Sequence, residues 1–160
     1  MKVFHDIPKV HESVITLGSF DGIHPGHQSL IYKTQLRAKE LSTEEYILTF
    51  EPHPRFIIQP DTSFRLLLTT DEKLEMLERM GVKNVVLIPF TLKISSLSAE
   101  EFVREYILKS LNPKAVLLGY DHKFGKDRKG SKETFVEMKN KLNLSFEIIQ
   151  IEELQHTRFR

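Results

Sequence analysis

No cysteine occurs in the 160 residues, which excludes a disulfide framework, a thiolate metal site and a cysteine nucleophile. Long apolar runs are also missing. Stretches such as Val85-Val86-Leu87-Ile88-Pro89-Phe90 fall far short of the ~20 residues that a membrane-spanning helix needs, so no contact with a membrane is expected. The opening residues, Met1-Lys2-Val3-Phe4-His5-Asp6, lack the basic region and apolar stretch of a secretory signal, and the expectation is a cytoplasmic protein. Charge of one sign is scarce too: the formal net charge is +1, which gives no general attraction to nucleic acid. A local basic cluster at Lys123, Lys126, Arg128, Lys129 and Lys132 could screen phosphates, but a charge run of this kind is usually a solvated face. Finally, no Gly-Lys-Ser or Gly-Lys-Thr follows a glycine-rich stretch, which disfavours a P-loop kinase.

What remains is an ordinary globular composition, 40% hydrophobic and 28% charged, in a chain long enough to bury one sizeable core. One domain over residues 1–160 is expected. Short β-branched or apolar runs at Val14–Leu17, Tyr46–Phe50, Val85–Ile88, Ala115–Leu118 and Phe146–Ile151 read as about five strands. Helical patterns fall between them. One runs from Gly26 to Leu41. The next begins with Asp71-Glu72 and ends at Gly81, and a third opens with Ser98 as N-cap and Glu101 closing a capping box before Asn112-Pro113 stops it. The last spans Ser131 to about Leu142. Alternation of strand and helix implies an α/β fold with a doubly wound, mainly parallel sheet, and a ligand crevice where strand order reverses. The loops at Gly18–Gly26, Glu51–Pro60 and Gly119–Gly130 each follow a strand and can converge there.

The first of these loops carries the chemistry. Gly18-Ser19-Phe20-Asp21-Gly22-Ile23-His24-Pro25-Gly26-His27 places three glycines and two histidines between a strand and a helix. Gly26 permits close backbone approach, and the helix start turns amide N–H groups and a partial positive charge toward an anion. His24 and His27, three residues apart, share one face if both lie on the first helical turn. Each can donate to phosphate oxygens, and a protonated ring would offset charge on a departing pyrophosphate. A metal site is the rival reading, but it wants a third and a fourth ligand and only Asp21 is at hand. His5, His11 and His156 have no constellation around them and read as incidental. Pro52-His53-Pro54 forms a stiff extended turn, which serves equally as a strand exit or as a wall that positions a ligand.

The His-x-Gly-His sequence after a first strand resembles that of the nucleotidylyltransferases, and the full string from Gly18 to His27 is similar to the amino-terminal module of bacterial FAD synthetases, the FMN adenylyltransferase part of the bifunctional riboflavin kinase/FAD synthetase family. Further stretches agree in the same order: Thr49-Phe50-Glu51-Pro52-His53-Pro54-Arg55, Leu67-Leu68-Thr69-Thr70, Ile88-Pro89-Phe90-Thr91, Leu97-Ser98-Ala99-Glu100-Glu101-Phe102 and Gly119-Tyr120-Asp121-His122-Lys123-Phe124-Gly125-Lys126. The resemblance therefore covers nearly the whole chain.

It implies a Rossmann-like fold and transfer of AMP from ATP to FMN, giving FAD and pyrophosphate, with Mg²⁺ carried on the ATP phosphates rather than in a protein metal site. His24 and His27 would be catalytic. Gly18, Ser19, Phe20, Asp21, Gly22, His24, Gly26 and His27 would line the ATP site, and Pro52, His53, Pro54, Asp121 and Phe124 the flavin site. Phe56 and Ile57 would add apolar contact. His122 departs from the family pattern, which often has an aromatic residue there. Members generally carry a Ser-Ser-Thr-x-x-Arg-like phosphate-binding segment after the last strand and then a riboflavin kinase module. Thr157 to Arg160 satisfies Thr-x-x-Arg, but Gln155 and His156 stand where the serines should be, so the segment is expected to be lacking. A binding module without turnover, or a transferase acting on another phosphorylated acceptor, is the alternative.

Overall fold

The structure, a computed structural model, describes residues 1–52, 68–120 and 129–151. Its centre is a six-stranded sheet built from β1 (Lys2–Phe4), β2 (Ser13–Leu17), β3 (Glu45–Glu51), β4 (Asn84–Pro89), β5 (Pro113–Leu118) and β6 (Glu147–Gln150). All neighbouring pairs are parallel, in the order β1-β4-β3-β2-β5-β6. The sequence led to about five strands. The additional one is β1, whose three residues pair with Asn84, Val85 and Val86 of β4 and are too few to show a periodic signal.

Every other side chain along the strands turns to the same face, as strand geometry requires. Ile15, Leu17, Leu48, Val86, Ile88, Val116 and Leu118 pack on one side. Val14, Ile47, Val85, Leu87, Ala115 and Leu117 pack on the other. The second face is covered by α1 (Pro25–Glu40), through Leu30, Ile31 and Ala38, and by α2 (Thr70–Arg79), through Leu77. α2 begins at a capping box in which Thr69 and Glu72 bond each other's backbone amides, satisfying two otherwise orphaned donors.

The first face is covered by α5 (Lys132–Lys141) and by a helical stretch over 99–111, here α4, preceded by the short α3 (Leu92–Ser96). The capping box expected at Ser98 and Glu101 is present. The interior of α4 departs from the α-helix expected there: Phe102–Leu108 is π-helical, between α-helical Ala99–Glu101 and Lys109–Leu111. A π-helix closes its bonds one residue later than an α-helix. That brings Phe102 and Ile107, and likewise Val103 and Leu108, onto the buried side although each pair is five residues apart. Asn112, with φ 39°, ends the stretch in the left-handed region that asparagine tolerates, and β5 begins at Pro113.

Strand order reverses between β2 and β5: the chain moves outward from β2 through β3 and β4, then returns to β2's other side. The carboxyl ends of these two strands, Leu17 and Leu118, open directly into Gly18 and Gly119. Among the described residues, no helix is long and apolar enough to cross a membrane.

Candidate active site

The loop from Gly18 to His24 leaves β2 at this reversal point and is tightly constrained. The Gly18 N–H donates to the Leu48 carbonyl at 3.0 Å. Phe20 (φ 49°), Gly22 (φ 81°) and Ile23 (φ 39°) all take left-handed backbone angles. For a phenylalanine and an isoleucine this is strain that surrounding structure must overcome, and both side chains are in fact driven into the core, each 1% exposed. The buried ring of Phe20 lies under Gly18, where a Cβ would meet it at 3.2 Å, and edge-on to the imidazole of His27, at 5.4 Å between centroids. Phe20, expected among the ATP-lining residues, thus has its ring inside the core, supporting the loop from below.

His24 is the N-cap residue of α1, Pro25 opens the first turn and the Gln28 N–H donates to the His24 carbonyl at 3.0 Å. Proline at this position removes a donor that would be orphaned in any case. The expectation that both histidines share a face is met: their rings stack, with centroids 3.6 Å apart and planes 25° from parallel. Gly26 explains the close fit. A Cβ there would stand 3.2 Å from Cε1 and 3.3 Å from Nδ1 of His24, so only glycine leaves the His24 ring where it is.

The histidines differ in environment. His24 is exposed and His27 half-buried. Nδ1 of His27 is buried with no hydrogen-bond partner among the described residues. Burial, then the neighbouring His24 ring and to a lesser degree Lys73, push the His27 pKa down from 6.5 to about 4, with Asp21 opposing. Desolvation thus favours the neutral form of the His27 ring. We assign its proton to Nε2, because an unsatisfied Nδ1 lone pair costs less in a buried setting than an unsatisfied N–H.

Two residues join the site that sequence reasoning gave no role. Lys73, on α2, is 7% exposed and its Nζ donates to the Ser19 carbonyl at 2.8 Å and to Thr49 Oγ1 at 3.3 Å. Thr49, fully buried at the end of β3, donates its hydroxyl proton to the same Ser19 carbonyl at 3.1 Å. Burial lowers the Lys73 pKa, while Asp21 and Glu51 hold it up. A signal was available: Lys73 and Leu77 are four apart and together form the buried stripe of α2, and a lysine on an apolar stripe rarely lacks a purpose. Glu51 in turn accepts from the Thr70 hydroxyl, tying the start of α2 to the end of β3.

On the opposite face, the ends of β3 and β4 carry an aromatic group. Phe50 meets Phe90 edge-on at 5.1 Å and Phe102 at 6.1 Å, and Phe102 lies 6.1 Å from Tyr106. Of the expected flavin-lining residues, Pro52 is exposed at the end of β3. His53, Pro54, Asp121 and Phe124 lie outside the described residues, as do Phe56, Ile57, His122 and the Thr157-to-Arg160 segment. Among the described residues, no group of three or more His, Asp or Glu side chains is placed to hold a metal ion.

Comparison with known proteins agrees with this architecture. A family model described as FAD synthetase matches residues 6–160. The chain is 30% identical over 151 residues to the bifunctional riboflavin kinase/FMN adenylyltransferase of Buchnera aphidicola subsp. Schizaphis graminum, covering 94% of this chain and 48% of that protein. It is 33% identical over 124 residues to the protein of the same name from Bacillus subtilis, covering 77% and 39%. A crystal structure from Streptococcus pneumoniae, described as a macrolide-efflux protein, superposes with a TM-score of 0.80 at 30% identity, over 96% of this chain and 49% of that one. The chain thus spans less than half the length of these relatives.

Proposed function

The chain belongs to the FAD synthetase family, and from that membership we propose that it transfers the adenylyl group of ATP to FMN, giving FAD and pyrophosphate. The observation that carries the reading is the stacked His24 and His27 pair at the head of α1, beside the β2–β5 reversal point where α/β sheets bind ligands.

The reaction needs no covalent enzyme intermediate. An oxygen of the FMN phosphate forms a bond to the α-phosphorus of ATP. The bond from that phosphorus to the bridging oxygen breaks, and pyrophosphate leaves with the electron pair. The protein's task is to hold the two phosphates in line and to meet charge as it develops. The amide N–H groups of Gly26 and His27 and the helix dipole of α1 face the anion. Nε2–H of His27 donates to a phosphate oxygen, and the exposed His24 ring adds a second donor. As phosphate approaches, its negative charge raises the proton affinity of His27 and so opposes the burial that favours the neutral ring. Mg²⁺ would travel on the triphosphate as part of the substrate, its charge drawing off electron density from the departing pyrophosphate.

We further propose that residues 1–160 form the adenylyltransferase module and that Pro52, His53, Pro54, Asp121 and Phe124 contact the flavin. A stacking aromatic and an acceptor for a ring N–H suit that ligand. Incubation with ATP, Mg²⁺ and FMN, followed by chromatographic detection of FAD and release of pyrophosphate, tests the assignment. FMN binding without FAD formation would instead support a binding module.

A further inference from the structure

We infer that Lys73 is a positioning residue for the histidine pair, acting through the carbonyl of Ser19 to hold the loop that seats His27. The inference rests on the reading of His24 and His27 as the reacting pair, and it carries that reading from the loop to the helix behind it.

The loop from Ser19 to Ile23 is held in an unfavourable shape. Phe20 and Ile23 are non-glycine residues at φ 49° and 39°, and strain of this kind persists only where neighbouring structure over-determines it. The apolar burial of the two side chains supplies part of that restraint. A polar restraint is applied at the residue immediately before, where Lys73 Nζ and Thr49 Oγ1 converge on the Ser19 carbonyl from 2.8 and 3.1 Å. Lys73 also donates to Thr49 Oγ1 at 3.3 Å, which closes a ring of three groups from β3, α2 and the loop. Both lone pairs of the carbonyl are engaged, and a charged donor makes the stronger class of hydrogen bond.

Burying an ammonium in this place is costly unless it is hydrogen-bonded, and a neutral side chain could fill the same volume. The use of a lysine is explained by its reach: it extends from α2 to Thr49 on β3 and to the Ser19 carbonyl just after β2, fixing the backbone that leads directly to Phe20, whose ring meets that of His27. Its charge also acts on His27 together with His24 and Asp21, and Glu51 and Asp21 balance it.

The test compares Lys73→Met with the unaltered chain by two readouts: steady-state FAD formation, and ¹H–¹³C spectra of histidines labelled at Cε1, titrated with pH. The expected result is a fall in kcat of roughly tenfold or more with the KM for ATP changed far less, a displaced His27 signal, and a His27 pKa that moves up from its low value. Thr49→Val, which removes the second donor to Ser19 and preserves side-chain shape, should displace the His27 signal in the same sense. It also serves if Lys73→Met fails to fold. A variant with native kcat and an unmoved His27 signal overturns the inference. A rise in the ATP KM alone, with the His27 signal unmoved, also overturns it, because Lys73 would then be meeting substrate directly. If the unaltered chain makes no FAD while the His27 signal still shifts in the variants, the adenylyl-transfer reading falls and the positioning role stands.

Discussion

The imidazoles of His24 and His27 stack with centroids 3.6 Å apart, yet one ring is exposed and the other is held neutral by burial. Contact between two rings that both bear protons would be repulsive, so the pair is poised to acquire charge only when an anion arrives to share it.

His27→Ala should keep the fold and lose most turnover. Removing one donor from developing phosphate charge typically costs roughly 10²-fold or more in rate. Steady-state FAD formation beside a circular dichroism spectrum separates the two effects, and undiminished activity would count heavily against the assignment.

Gly26→Ala should divide stability from activity. Alanine is favoured over glycine in a helix by about 0.5–1 kcal/mol, so the variant should melt no lower than the parent. Its Cβ, however, would press on the His24 ring from 3.2 Å, and the ring must give by a few tenths of an ångström, which loosens its stack on His27. We expect a stable protein with a clearly reduced kcat, checked by thermal melting and the same assay.

The low proton affinity of His27 makes stability depend on pH. Between about 4 and 6.5 the unfolded chain binds a proton at this residue that the native chain does not. Stability is therefore intact above pH 6.5 and is lost as pH falls through that window. A drop from 6.5 to about 4 corresponds to roughly 3 kcal/mol at 1.36 kcal/mol per tenfold change, and to about 2 kcal/mol after allowing for water at the accessible edge of the ring. Denaturant titrations at pH 7 and pH 5 should show this loss in the parent chain and a smaller one in His27→Ala; equal slopes in both would refute it.

ATP binding should take up protons. A polyphosphate beside His27 raises a pKa that starts at about 4, so between that value and the raised one the complex holds more proton than its parts. Calorimetric binding enthalpies measured at mildly acid pH in buffers of different ionisation enthalpy should differ accordingly. Buffer-independent heats would count against a His27 pKa raised into that range by the phosphates.

Thr16→Val offers a control. The Thr16 hydroxyl is buried in β2 with no hydrogen-bond partner among the described residues, and replacing an unsatisfied polar group by an apolar one of the same shape is nearly neutral or stabilising. Melting temperature should hold or rise, and FAD formation should be unchanged.

The parts of this architecture that were legible in the sequence are those fixed locally. Ser98 and Glu101 announce a helix start because a capping box needs only four consecutive residues. The strands from Val14, Tyr46, Val85 and Ala115 are legible because buried parallel strands read as apolar runs. The histidine pair is visible because a three-residue spacing and a glycine are enough to imply one face. What escaped depends on distance along the chain. β1 is a strand only because β4 stands beside it. The π-helical turn from Phe102 to Leu108 is set by the need to bury residues five apart. Lys73 reaches a carbonyl 54 residues earlier in the chain, a meeting that no local pattern encodes.

The strand order has one more consequence. Everything up to β4 forms a contiguous four-stranded half, β1-β4-β3-β2, and everything after it contributes the pair β5-β6. Within the sheet the two halves meet along one strand pairing, β2 with β5. The histidine loop opens from one lip of that pairing and Gly119 from the other. A nucleotide seated across it is a clasp between two halves of the chain. That strand pairing would then be most firmly closed when a nucleotide bridges its two lips.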